Sequence, residues 1–121
     1  AVLVQKTTGK GTLHEVALSS AAAWLALPRN WQMTTPKGAV GGAHAGYRIY
    51  PCKNGRVALA ALEPHFAQRL CEAAGVKIAH PVKDLVKPAV HQAIAAFVAS
   101  KTRKELDTLA EAKDIPLLTM K

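Results

Sequence analysis

Residues 47–66, YRIYPCKNGRVALAALEPHF, carry the strongest local instruction in the chain. Asn54-Gly55 favours the positive backbone angles of a tight turn, and the segments on either side are rich in Tyr, Ile, Val and Leu. This pattern predicts two antiparallel strands joined at Asn54-Gly55 and running directly into a helix that opens at Pro64. In the first strand Tyr47 and Ile49 share one face, and Arg48, Tyr50 and Cys52 the other. The second, over residues 57–62, is apolar on both faces and reads as buried and central, while Pro51 fits an edge or the neighbourhood of the turn. Two flanks of the hairpin are candidates for function. Gly41-Gly42 precedes it, a loop able to approach a ligand closely, and Glu63 follows it, a carboxylate at the end of an apolar strand.

Downstream of the hairpin the chain reads as mostly helical. Pro64 suits a first helical turn, and Phe66, Leu70 and Ala73 or Ala74 make an apolar stripe that Gly75 ends. From Pro88 onward Val90, Ile94, Phe97 and Val98 recur at helical spacing. Thr102 and Glu105 have capping-box spacing and open a further helix with Leu106, Leu109 and Ala110 inward. Residues 115–118 read as a short strand.

Ahead of the hairpin the signals are weaker. Residues 1–4 read as the tail of a helix ending near the turn at 7–11, where Gly9 and Gly11 admit positive backbone angles. Residues 13–18 alternate poorly but have the length of a strand. Ser19 or Ser20 is placed to cap a helix running through Trp24 and Leu27 to about Met33, with Pro28 set to kink or shorten it. Residues 34–44 form a loop broken by Pro36, Gly38, Gly41 and Gly42. The expected fold is α+β, an antiparallel β-hairpin-centred small domain with packed helices.

Length and charge bound the function. A chain of 121 residues supports one modest core, so one domain over residues 1–121 is expected. The excess of 16 Lys and Arg over 8 Asp and Glu gives +8, which attracts anions such as nucleic acid, acidic lipid or a phosphorylated cofactor. Aromatic content of 5% offers few platforms on which single-stranded bases stack, which counts against a nucleic-acid partner. Cys52 and Cys71 lack metal spacing and make no disulfide framework, consistent with a reducing, cytoplasmic setting. The Ala-rich run over residues 17–28 is too short to span a bilayer, so no membrane association is expected. Both ends begin or stop on apolar runs, as in a segment taken from a longer protein.

Taken singly, the chemical motifs are weak. Gly9-Lys10-Gly11 lacks the spacing of a phosphate loop and reads as a turn. His14, His44, His65, His80 and His91 are scattered without a two-histidine helical spacing, so no metal site is expected. Ser19 and Ser20 lack nucleophile-elbow glycines. Glu63 alone reads as a solvated helix-start residue.

Their order is more informative. Residues 5–19, QKTTGKGTLHEVALS, resemble the R-x-x-T-G-x-G-Q-x-V-D-V-S-L pattern of the family III CoA-transferases, which include the alpha-methylacyl-CoA racemases. Gly41-Gly42 and then residues 47–66 look like that family's Y-x-x-Y-x-x-x-D-G-x-x-[VA]-x-[GA]-x-x-E-P-x-F segment. Residues 97–118 look like its F-x-x-[KR]-T-[RA]-x-E-W-x-x-L…D-[IV]-P segment. Asn54 stands for the usual Asp of the turn, Thr12, His14 and Glu15 depart from the first motif, and Leu106 stands where Trp is common.

The resemblance implies an acyl-CoA substrate, with a coenzyme A thioester as reactant and no covalently bound cofactor. Family transferases attack the thioester with an aspartate; the racemases use a His and an Asp as an acid/base pair beside the thioester carbonyl. In both, that aspartate precedes the T-G-x-G segment, whereas here the Asp residues are Asp84, Asp107 and Asp114, all downstream. By similarity, Gly41 and Gly42 match the glycine-rich loop that closes over acyl-CoA, and Glu63 matches a racemase glutamate that supports the catalytic His. The resemblance thus implies a small domain inactive by itself, its partners being an acyl-CoA, an absent N-terminal catalytic large domain and a family-like homodimer. Glu63-Pro64 and Phe66 lie closer to the racemase pattern, with transferase chemistry still open. The alternatives are a basic nucleic-acid-binding module and a non-enzymatic interaction module.

Overall fold

The computed structural model describes residues 2–121 and divides into two compact units, one ending at Trp31 and the other running from Gln32 to Lys121.

The first unit is helical. Helix α1 (Val2–Thr8) closes with Thr7 and Thr8 hydroxyls donating back to the Leu3 and Val4 carbonyls. Gly9, at φ +70°, then turns the chain out, as expected of the glycine there. Ala1, part of that expected helix, lies outside the described residues. The strand expected over residues 13–18 does not form: residues 9–17 lack regular structure and pair with no other strand. A lone extended segment gains no ladder bonds, so nothing selects that conformation. Helix α2 (Leu18–Leu25) starts from Ala17 with no side-chain cap, which leaves Ser19 and Ser20 inside its first turn rather than at the cap. Pro28 does shorten the helix, because a separate turn, α3 (Leu27–Asn30), takes up the proline near its own start, where no N–H is needed. None of the residues in these helices is buried.

The second unit holds the core. Strands β1 (Tyr47–Cys52) and β2 (Gly55–Ala60) pair antiparallel, with Tyr47 opposite Ala60 and Tyr50 opposite Val57. Helices α4 (Pro64–Ala73), α5 (Pro88–Ala99) and α6 (Arg103–Lys113) follow. Strand β3 (Leu117–Met120) then returns to β2, giving a three-stranded antiparallel sheet in the order β1-β2-β3. The α+β class is as expected. Helix α5 packs on β1, and α6 packs on β2 and β3. Val57, Leu59, Leu70, Leu85, Ile94, Val98 and Leu106 fill the space between them. The predicted stripes of the three helices face this core, and the Thr102–Glu105 capping box forms as expected.

Three details differ from the sequence expectation. The turn residues are Lys53 and Asn54, and Gly55 already pairs with Cys52. Asn54 has no positive φ; its side-chain oxygen instead accepts the Arg103 N–H at 2.8 Å, and the Lys53 N–H reaches the Lys101 carbonyl at 2.9 Å. The turn is thereby fastened to the start of α6. Gly55 is required because an added Cβ would run into the Met120 carbonyl of the neighbouring strand. Strand β2 is central but is buried on one face alone: Val57 and Leu59 point into the core, whereas Ala58 is half-buried and Ala60 exposed. The last strand starts two residues later than expected. Pro116 has no N–H to give to a ladder; its carbonyl accepts the Ala60 N–H at 2.9 Å, and Ile115 is buried below the strand start.

Because the Asn54 side chain serves as a cap from a distant turn, Asn54→Ala should lower the unfolding free energy by about 1 kcal/mol. Asn54→Asp, which restores an acceptor, should recover most of it in urea titrations.

Candidate functional site

The loop before the hairpin is built from backbone packed on backbone. The Gly38 N–H donates to the Thr35 carbonyl at 2.8 Å, and the Gly41 and Ala43 N–H groups donate to the Gly38 carbonyl at 2.9 and 3.2 Å. At Gly41 the chain passes so close to the Thr35 carbonyl that any Cβ would overlap it. Gly42 faces open space but has φ +111°, a conformation that side chains rarely adopt. Both glycines are therefore demanded by the path of the loop, for different reasons.

This loop roofs a cavity of about 650 Å³ over the solvent side of the hairpin. Tyr47, Ile49, Ala58 and Ala60 form its floor, and Pro36, Val40, Gly41 and Gly42 its roof. The floor is set by the strand period: Tyr47 pairs with Ala60 and Ile49 with Ala58, so all four side chains stand on the face turned away from the core. Arg48 and Leu59 also border the cavity, but alternation puts their side chains on the opposite face, where Leu59 is 3% exposed.

Glu63 is placed differently. It is the residue before α4, makes no side-chain capping bond and is exposed. It does not line the cavity, although it follows Ala60 by three residues and so lies beyond the Tyr47–Ala60 end of the hairpin. Of the three residues singled out from the sequence, the structure brings Gly41 and Gly42 together at one cavity and sets Glu63 apart at a helix start.

The residues that anchor the loop are outside the set singled out from the sequence. His44 is 3% exposed, its Nδ1 accepts the Gly46 N–H at 3.1 Å, and among the described residues its Nε2 has no partner. An acceptor Nδ1 fixes the neutral ring with its proton on Nε2. Burial, and secondarily the neighbouring His91, holds the His44 pKa below its ordinary 6.5. His91 on α5 donates from Nε2 to the Ala43 carbonyl at 2.8 Å. The Ala45 N–H reaches the Leu85 carbonyl at 2.7 Å, and the Tyr50 hydroxyl donates to the Ala45 carbonyl at 2.9 Å. Residues 43–46 are thus pinned to α5, to the segment at Leu85 and to β1, giving the glycine loop a fixed base.

Asp84 organises that segment in turn. Its carboxylate accepts the Lys87 ammonium at 2.6 Å and the Ala79 and His80 N–H groups at 2.8 and 2.9 Å. The Lys87 bond first, then the two backbone donors, hold its pKa far below the usual carboxylate range. Burial, then Asp84 and Glu72, push the Cys71 thiol up to about 11, which favours the protonated thiol over the nucleophilic thiolate. Among the described residues no group of three His, Cys, Asp or Glu side chains is placed to hold a metal ion, and no helix is long and apolar enough to cross a membrane. One positional signal was available for His44, which stands two residues after the glycine pair, but its burial depends on α5 and the Leu85 segment folding over it.

The two buried groups dictate a pH response. Unfolded His44 takes up a proton near 6.5 whereas the folded residue resists it, so stability falls as pH drops through that range. Asp84 is depressed below its ordinary 3.8, so its contribution is present above that value and lost in stronger acid. The thermal midpoint should therefore fall between pH 7 and pH 5, and His44→Asn, which keeps an acceptor for Gly46, should flatten that slope.

Known proteins share this outline. A family model, CoA-transferase family III, matches residues 1–121. No curated protein matches in sequence. Among solved structures, the orthorhombic crystal form of Rv3272 from Mycobacterium tuberculosis superposes with a TM-score of 0.74 at 18% identity, covering 100% of this chain and 34% of that one. A second crystal structure of Rv3272, described as a hypothetical protein, gives 0.70 at 18% identity over 97% of this chain and 34% of that one. The chain spans about a third of the length of these structures, and at that identity the likeness speaks for the fold.

Proposed function

The chain belongs to CoA-transferase family III, and from that premise we propose that it is the small domain of an acyl-CoA enzyme whose catalytic large domain lies elsewhere. Gly41 and Gly42 form a lid over the thioester end of the substrate, and the cavity beneath them receives the acyl part. Glu63, free of any capping bond, is the supporting carboxylate, orienting a histidine of the large domain and favouring its protonated form. The chemistry is proton exchange at the carbon beside the thioester carbonyl, the racemase branch, with CoA transfer to a carboxylic acid as the alternative. The chain alone is inactive, because the aspartate that both branches require is supplied by the large domain. That domain and a second copy of the enzyme cover the exposed apolar residues of the first unit, among them Leu3, Leu18, Trp24 and Trp31. The compartment is the cytoplasm.

The observation that carries this reading is the roofed cavity of about 650 Å³ at the glycine pair, in a chain of this family. The test joins this chain to its large domain and measures two signals: loss of deuterium from the α-carbon of a labelled acyl-CoA, and transfer of CoA to an added carboxylate. Exchange without transfer is expected, slowed several-fold by Glu63→Gln with little change in KM. Transfer without exchange would move the enzyme to the other branch, and the absence of both activities would contradict the proposal.

A further inference from the structure

The cavity beneath the glycine pair also has a selectivity, and on the acyl-CoA reading above we infer that it accepts an extended aliphatic acyl chain and discriminates against short diacids, with Ala58 and Ala60 as the residues that decide this. A solvent-facing strand position is ordinarily filled by a polar or a bulky β-branched side chain. Here two alanines stand side by side in register with Ile49 and Tyr47, so the middle of the sheet face is a shallow trough. On one side rise Tyr47 and Ile49 of the edge strand, 37% and 57% exposed. On the other side Leu118, paired with Ala58 and 68% exposed, continues the apolar face beyond the cavity's own lining. Pro36 and Val40 close the trough from above.

Charge on this face is confined to one place. The face is made of Tyr47, Ile49 and Pro51 on β1, Ala58 and Ala60 with Arg56 on β2, and Leu118 and Met120 on β3. The cation among these residues, Arg56, stands four residues from Ala60, roughly 13 Å along the strand. It pairs with Pro51 and Met120 at the far end and does not line the cavity. Arg48 borders the cavity, but strand alternation turns its side chain to the α5 face, where it lines a second cleft with His91 and Gln92. The terminal carboxylate of a four-carbon diacid whose thioester lies at Gly41-Gly42 would therefore be set on an apolar floor without a partner, which is costly. An alkyl chain laid along Ala60 and Ala58 meets apolar surface throughout.

The experiment is calorimetric titration of this chain, joined to its large domain, with free CoA, acetyl-CoA, succinyl-CoA and octanoyl-CoA. Octanoyl-CoA should bind about 10-fold or more tighter than acetyl-CoA, since six further methylenes leave water even if partly covered, and succinyl-CoA should bind no tighter than acetyl-CoA. Ala60→Trp fills the trough at an exposed position where the fold tolerates a large side chain; it should abolish the preference for octanoyl-CoA over acetyl-CoA. Ala58→Leu should do the same to a smaller extent. Succinyl-CoA binding as tightly as octanoyl-CoA, or an octanoyl preference that survives Ala60→Trp, overturns the inference while leaving the acyl-CoA reading in place. Failure of all four ligands to bind overturns both.

Discussion

Ile94→Ala is expected to lower the unfolding free energy by about 2–5 kcal/mol. Ile94 lies at the middle of α5, is 0% exposed, and shares the core with Val90, Val98, Leu70, Leu85 and Val57. Truncation there removes apolar surface and leaves a cavity between the helix layer and the sheet, which a short unit has little freedom to close. Single domains have total stabilities of about 5–15 kcal/mol, so this substitution takes the second unit close to the edge of folding. Ala96→Ser, on the exposed side of the same helix, should stay within about 0.5 kcal/mol. Guanidinium titration monitored on both variants checks the pair. Equal, small losses would mean that α5 does not cover the sheet.

Gly41→Val is the second large effect, and it acts on function with little loss of stability. The new Cβ overlaps the Thr35 carbonyl, and neither group is a flexible side chain that can swing aside. The loop over residues 35–42 must move, while the hairpin, held by its own ladder and by the Tyr50–Ala45 and Ala61–Gly46 bonds, keeps its place. Displacing a positioning loop by about 1 Å is enough to cost about 100-fold in kcat/KM of an enzyme that carries this chain. Gly42→Ala meets no atom within contact distance and strains only the backbone at φ +111°, so a smaller loss is expected. Steady-state kinetics of the two variants, beside thermal unfolding to confirm that both fold, distinguishes a shaped roof from a flexible tether. Matching losses would indicate the latter.

The parts of the fold that could be read from the sequence are those written in local periodicity. The stripes of α4, α5 and α6, the Thr102–Glu105 box and the two strands around the turn depend on residues within one or two turns of each other. What escaped depends on partners distant in sequence. Whether β2 is buried on both faces is decided by where helices come to lie, and they cover one face. Asn54 is the turn residue it reads as, but the use of its side chain as a cap depends on α6 arriving beside it. Residues 13–18 have strand length but no neighbour to pair with.

The same division holds for the site. Gly41 and Gly42 are visible in the sequence as a pair, yet the distinction between them, one forced by contact and one by φ, needs the Thr35 backbone in place. Ala58 and Ala60 give no signal until the register sets them beside Ile49 and Tyr47 under the loop. His44 is one of five scattered histidines in the sequence and becomes an anchor only when α5 and the Leu85 segment close over it.

On the function proposed above, acyl-CoA sits in the cavity under the glycine pair, and an amide-resolved NMR titration of the chain with acetyl-CoA tests this. Shifts that saturate at Gly41, Gly42, Tyr47, Ile49 and Ala60 are expected. Shifts confined to the basic start of α6, at Lys101, Arg103 and Lys104, would show that the chain greets the phosphates by charge alone and would contradict it.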